Sequence, residues 1–399
     1  MKKVLFACYG SGHVRMVIPV ARALQASGRA QVQVLGLTTA AAAVREAGLP
    51  LLQVKDFLQA DDGPALAHGE RLAAAMAQVV DADETRAYLG LSYAELEAEH
   101  GAGEAARRYA QDGRQAFLPR RLLQRILRRM QPDLVVATNS PRAERAAILA
   151  ARDLGLPALC IVDLFAIDEV RWIGEAGYAD RICVLNESVR QFLVEAGRQP
   201  HEVVATGNPA FDALHEPEVV AQGRRLRGER GWDQRAVLLW PSQDEPARHP
   251  FDGRAGDPSL PARVLQALVD WTLAHPPAVL CVRPRAGQAL PELPMHERIV
   301  ITGQDWPLAP LLHAVDIVVT LTSTVGLEGR LAGTRLVQVR GSVFEDAMPL
   351  ARFGLADAAV PLGELAPVLD RLSQQGRHAA ASQAHGATAR VVAEIARFL

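Results

Sequence analysis

Short, largely apolar runs separated by helix-length segments constrain this chain more than any other feature. Val4 to Cys8, Gln31 to Leu37, Leu134 to Ala137, Ala158 to Val162 and Arg181 to Val184 recur in the first half. Val237 to Trp240, Val279 to Arg283, Ile299 to Thr302, Ile317 to Thr320 and Leu336 to Val339 repeat the pattern in the second. A strand without a polar face has to be covered on both sides, and crossover helices do that. The pattern therefore predicts an α/β protein of two Rossmann-like, doubly wound parallel sheets in tandem. With 399 residues, two domains are expected, meeting near Thr206-Gly207-Asn208-Pro209: 1–207 and 208–399. The last helix is a candidate for packing back on the first domain. Asp56 to Met130 departs from the alternation and reads as several helices, a helical insertion over about 56–130.

The first βα unit is the most informative. Tyr9-Gly10-Ser11-Gly12-His13 follows the Val4 to Cys8 run, and Val14, Val17, Ile18, Ala21 and Leu24 then recur at helical spacing. A glycine turn between a buried strand and a helix start leaves backbone N–H groups at the positive end of the helix, which suits an anion such as phosphate. A dinucleotide site would need a third glycine and a carboxylate about twenty residues on. Arg15 stands at the first place, and the second strand runs into Gly36, Thr38 and Thr39, so NAD is not expected. His13 is the candidate general base, because the positive end of a helix disfavours an imidazolium and a base has to be neutral.

Composition narrows the function classes. Lys and Arg number 43 against 45 Asp and Glu, a net charge of -2, so there is no global basic field for nucleic acid. No apolar run approaches the ~20 residues of a membrane-spanning helix, and Met1-Lys2-Lys3 leads straight into a strand, so a cytoplasmic protein is expected. Cys8, Cys160, Cys183 and Cys281 sit far apart in apolar runs and read as buried thiols. No cofactor or metal is expected; Asp81-Ala82-Asp83 imitates a metal-binding Asp-x-Asp but lies in a helical polar stretch. Arg120 to Met130 places leucines and isoleucine on one side and five arginines elsewhere, a helix that packs on a core or touches an anionic membrane at the inner face.

Asp316 to Thr334 is the richest stretch of the second half. A strand runs into Thr322-Ser323-Thr324 and then a helix carrying Glu328. Hydroxyls at such a turn cap the helix or bind a diphosphate with it, while Glu328 is placed to accept from ribose hydroxyls. This segment resembles the donor-binding segment of the GT-B glycosyltransferases and the related UDP-N-acetylglucosamine 2-epimerases. Thr206 to Leu214 is similar to the epimerases' domain junction. Gly10-Ser11-Gly12-His13-Val14 resembles the glycine-histidine loop of the peptidoglycan N-acetylglucosaminyltransferase and of the pseudaminic-pathway sugar-nucleotide hydrolase. The resemblance covers both halves in order and leaves 56–130 unmatched. It implies the GT-B fold, two such domains facing a cleft, with the turn holding the diphosphate and Glu328 the ribose.

Two departures bear on the reaction. The epimerases carry Gly-Asp-Thr after the fourth strand and a histidine-arginine motif at the opening of the second domain; here stand Thr138-Asn139-Ser140-Pro141 and Trp240-Pro241-Ser242-Gln243. Ser242-Gln243 resembles the Ser-Gln of transferase loops that touch the donor phosphate. Arg283 and Arg285, at the end of an interior strand, are further diphosphate candidates, since guanidinium forks fit phosphate oxygens. Glu345 and Asp346 follow the Leu336 strand where transferases contact donor-sugar hydroxyls. The expected activity is metal-independent transfer of a sugar from a nucleotide donor, UDP-linked, to a hydroxyl acceptor in polysaccharide or glycoconjugate synthesis. A sugar-nucleotide hydrolase or epimerase-like enzyme, and a non-catalytic nucleotide-sugar binder, would use the same residues.

Overall fold

The computed structural model describes residues 1–76, 81–285, 287–303, 305–378 and 386–399. The chain divides into two compact units, Met1–Ala210 with Gly386–Leu399, and Phe211–His385.

The first unit holds seven strands: β1 (Lys2–Cys8), β2 (Ala30–Gly36), β3 (Leu51–Leu52), β4 (Leu134–Thr138), β5 (Ala158–Ile161), β6 (Arg181–Val184) and β7 (Val203–Ala205). They form one sheet in the order β3-β2-β1-β4-β5-β6-β7, every pair parallel. Val4 to Cys8 and all of β4 are buried, so the apolar runs are strands covered on both faces. The connecting helices are α1 (Gly12–Ala26), α2 (Ala40–Glu46), α3 (Gly63–Ala74), α4 (Ala82–His100), α5 (Ala102–Asp112), α6 (Arg120–Met130), α7 (Ala143–Asp153), α8 (Val170–Ile173) and α9 (Glu187–Glu195). Helices α3 to α6 make up the insertion between β3 and β4. Asp81 of the Asp-x-Asp pair caps α4 by accepting from the Glu84 N–H at 3.1 Å and pairs with Lys55 at 2.6 Å.

The second unit repeats the plan with β8 (Val237–Pro241), β9 (Val279–Arg283), β10 (Ile299–Ile301), β11 (Ile317–Thr320), β12 (Arg335–Val339) and β13 (Ala358–Val360). Their order is β10-β9-β8-β11-β12-β13, again all parallel. Helices α10 (Pro217–Glu229), α11 (Leu260–Ala274), α12 (Leu308–Ala314), α13 (Thr324–Leu331) and α14 (Leu365–Ser373) connect them. The last helix, α15 (Ala387–Ala396), belongs to the first unit. Its Val391 and Ile395 are fully buried with Val17, Val20 and Leu24 of α1, each such burial contributing roughly 1.5–3 kcal/mol. Glu394 pairs with Arg181 at 2.6 Å, and Arg390 donates to the Thr206 carbonyl at 2.7 Å.

Strand order fixes where ligands go. In each sheet the winding direction reverses beside the first strand, between β1 and β4 and between β8 and β11. A crevice opens at the carboxyl ends of such a pair because the two crossovers leave to opposite faces.

Candidate functional site

The loop after β1 stands at the first reversal. A Cβ on Gly10 would lie 1.7 Å from Thr39 Oγ1, so only glycine lets the turn pass this close. Ser11 follows with φ 58° and ψ -131°, a conformation unfavourable for any residue with a side chain and one that gathers at functional loops. No side chain caps α1 and its first turn holds no acidic residue, so its partial positive charge is not offset from within the helix. Asp163 stands against that end: a Cβ on Gly12 would meet its Oδ2 at 3.4 Å. Asp163 is held by its own N–H donating to Asn139 Oδ1 at 2.9 Å, while its carbonyl and Oδ1 accept from Asn208 Nδ2 at 2.6 and 3.3 Å.

His13 opens α1 among carboxyl groups. Glu144, in the first turn of α7, is 0% exposed. Its Oε1 accepts from the Tyr9 N–H at 2.7 Å and the Thr138 hydroxyl at 3.3 Å. Its Oε2 and His13 Nδ1 are both buried without a hydrogen-bond partner among the described residues. Burial raises the Glu144, Asp163 and Glu169 carboxyls above their ordinary values, and in each the charge of His13 opposes that rise. These acids come from the first turn of α7, which follows β4, the neighbour of β1, and from the β5–α8 connection, which follows the next strand out. The loop is also tied to the insertion: the Tyr9 and Tyr88 hydroxyls bond to each other, and the Arg142 guanidinium lies 4.5 Å over the Tyr9 ring.

At the second reversal lies a cavity of about 540 Å³ lined by Ser242, Gln243, Arg283, Arg285, Thr322, Ser323 and Thr324 with Asp244 and Phe344. One side chain joins the two loops of this lining. Gln243 Oε1 accepts from the Thr320 hydroxyl at 2.8 Å and from the N–H groups of Leu321 and Thr322 at 2.9 and 3.3 Å. Its Nε2 donates to Thr322 Oγ1 at 3.2 Å. Gln243 therefore staples the loop after β8 to the turn after β11. Ser323 caps α13, its Oγ accepting from the Val325 N–H at 3.2 Å. The Arg283 guanidinium donates to the Gly303 and Trp306 carbonyls at 3.4 and 2.9 Å through Nη1, and burial lowers its pKa. Arg285 is paired with Asp244, which also accepts from Gln288 Nε2 at 2.8 Å.

The remaining candidates are placed differently. Glu328 lies on α13, a turn beyond the hydroxyls, and does not line the cavity. Glu345 accepts from the Gly341 N–H at 3.0 Å, and Asp346 pairs with Arg254 at 2.6 Å; neither lines it. Gly10, Ser11, Gly12 and His13 belong to the first unit and the other site candidates to the second. Two buried carboxylates carry no local sign of their position. One is Glu144; the other is Glu245, which accepts from the Ser342 hydroxyl at 2.8 Å and the Val343 N–H at 2.6 Å and so fixes the loop after β12. Among the described residues no group of three or more metal-ligating side chains occurs, and no helix is long and apolar enough to cross a membrane.

No protein-family model matches the chain, and no curated protein sequence matches it significantly. Solved structures do resemble it from end to end. The calicheamicin glycosyltransferase shares 17% identity over 100% of this chain and 98% of its own, with a TM-score of 0.57. MurG of Acinetobacter baumannii shares 15% over 100% of both chains, with a TM-score of 0.55. The UDP-GlcNAc 2-epimerase of Neisseria meningitidis, solved with UDP-GlcNAc bound, shares 10% over 99% of this chain and 100% of its own, with a TM-score of 0.55. The chain has the two-domain fold shared by the GT-B glycosyltransferases and the UDP-GlcNAc 2-epimerases.

Proposed function

We propose that this protein is a glycosyltransferase that moves a sugar from a nucleoside diphosphate, UDP being the expected nucleotide, to a hydroxyl acceptor. The observation that carries the reading is the chemistry at the two winding reversals: a histidine among buried carboxyls at one, and a hydroxyl-lined helix start with arginines at the other. His13 takes the acceptor proton through Nε2, since Nδ1 is the buried nitrogen. The freed oxygen forms the new bond to the anomeric carbon as the bond to the diphosphate breaks, and Asp163 and Glu144 stabilise the imidazolium. The leaving diphosphate is met by the α13 N-terminus, Thr322, Ser323 and Arg283. A divalent cation is not assigned there, because the carboxylate lining that cavity, Asp244, is already bonded to Arg285 and Gln288. Epimerisation is disfavoured by the missing histidine-arginine motif at Trp240 to Gln243.

The test is incubation with a panel of nucleotide sugars, with and without hydroxyl acceptors. Slow loss of one donor, accelerated by an acceptor, is expected. His13→Ala should lower kcat by about a hundredfold to ten-thousandfold with donor KM nearly unchanged. Rapid donor loss without acceptor would make the protein a hydrolase, and no turnover of any donor would contradict an enzyme.

A further inference from the structure

Helix α6 buries Leu122, Leu123, Ile126 and Leu127, and its other side carries Arg121, Arg125, Arg128 and Arg129. These four, with Phe57 and Gln59 of the segment after β3, line a cavity of about 450 Å³. Two of the arginines are fixed. Arg125 forms a two-pronged pair with Asp62 at 2.6 and 3.1 Å, and Asp62 is buried. Arg129 donates to the Asp56 carbonyl at 2.7 Å and lies 5.1 Å over the Phe57 ring. Arg121 and Arg128 are exposed, and neither side chain has a hydrogen bond or ion pair among the described residues. Asp56 and Asp61, both exposed, stand on the Phe57 segment, and Glu95 is a further acid at the helix start. Glu95 accepts the N–H groups of Arg121 and Leu122 at 2.6 and 3.2 Å; burial raises its pKa, and those two bonds and then the Arg121 charge oppose the rise.

Four arginines thus line one concavity while one carboxylate, Asp62, pairs with one of them, Arg125, in a protein whose net charge is -2. Like charges gathered this way repel, and a ligand with more than one negative charge offsets the repulsion. The two fixed groups set the cavity wall and the two unpaired forks are available to oxygen atoms. Guanidinium forks match phosphate oxygens in pairs, and the cavity is large enough for more than one phosphoryl group. No exposed large apolar side chain lies on α6 or the Phe57 segment, so recognition would rest on charge. We propose that this arginine cavity of the helical insertion is a binding site for a phosphate-bearing polyanion, a phosphomonoester or diphosphate, separate from both sites described above.

The experiment titrates pyrophosphate into the wild-type protein and into Arg121→Ala/Arg128→Ala, by calorimetry and by hydrogen exchange. Both side chains are exposed and unpaired, so the fold should be unaffected, and melting curves verify it. At least a tenfold loss of affinity in one binding event is expected, with protection of peptides over 54–62 and 120–130 present in the wild type and lost in the variant. Arg107→Ala, a surface arginine paired with Glu104, should change nothing. Sedimentation with phosphatidylcholine vesicles, with and without phosphatidic acid, tells the sources apart. Arginine-dependent capture by the anionic vesicles at low salt makes the ligand a lipid headgroup, and pyrophosphate binding without capture makes it a soluble phosphate ester. Identical isotherms for wild type and variant, or no protection in those two segments, would overturn the proposal.

Discussion

Glu144 concentrates the electrostatics of the first unit in one side chain. A fully buried carboxylate with one oxygen unpartnered is costly when ionised, because desolvation disfavours its charge. Burial raises its pKa above 4.5, with His13 pulling the other way. An acid whose folded pKa is raised contributes stability below its unfolded value, and that stability is lost as pH rises through the folded value. Glu144→Gln keeps an acceptor for the Tyr9 N–H and the Thr138 hydroxyl but never ionises. The variant should therefore melt higher than the wild type at neutral pH and show no advantage below about pH 4, under the ordinary value of a glutamate. A variant that melts lower at neutral pH would mean that the attraction of the His13 charge outweighs the burial cost. None of this could be read locally, since a glutamate in the first turn of α7 looks like an ordinary helix-start acid. Asp163 follows the β5 run in sequence, but only the fold brings it against Gly12.

Among the elements, the turn between β11 and α13 depends most on a distant residue. Gln243 comes from the loop after β8, yet it takes up the Thr320 hydroxyl and the N–H groups of Leu321 and Thr322. Gln243→Ala leaves those donors unmet in a partly buried site, at a cost of about 1–3 kcal/mol. Urea unfolding should show a lower midpoint with an unchanged slope, and nucleotide affinity should fall with it; an unaltered midpoint would remove Gln243 as the staple. The hydroxyl turn and the Ser242-Gln243 pair are legible in sequence because each follows a short run without a polar face. The same runs gave the interior strands. They gave one edge strand as well, β10, and did not give β3, β7 or β13, edge strands of two or three residues. Pairings across long sequence separations were equally hidden: Arg285 is held by Asp244, and Asp346 by Arg254.

Across the molecule, the two sheets share one winding plan and differ in chemistry. The first presents a histidine and carboxyls; the second presents hydroxyls, arginines and a helix N-terminus. The return of α15 to the first unit means that the chain crosses between units twice, an arrangement that the Thr206 to Pro209 junction alone does not reveal. A ligand that binds only the folded state raises stability by RT ln(1 + [L]/Kd), about 2.7 kcal/mol at a hundredfold excess over Kd. The direct measurement is the thermal shift of the wild-type protein and of Thr322→Ala/Ser323→Ala with UDP, GDP, CDP and ADP at equal concentration. One nucleotide, UDP by expectation, should raise the melting temperature of the wild type well above the other three, and the double variant should lose most of that rise. No shift with any of the four, or an equal shift with all four that disappears in Arg121→Ala/Arg128→Ala, would contradict a nucleotide site at the β8–β11 reversal.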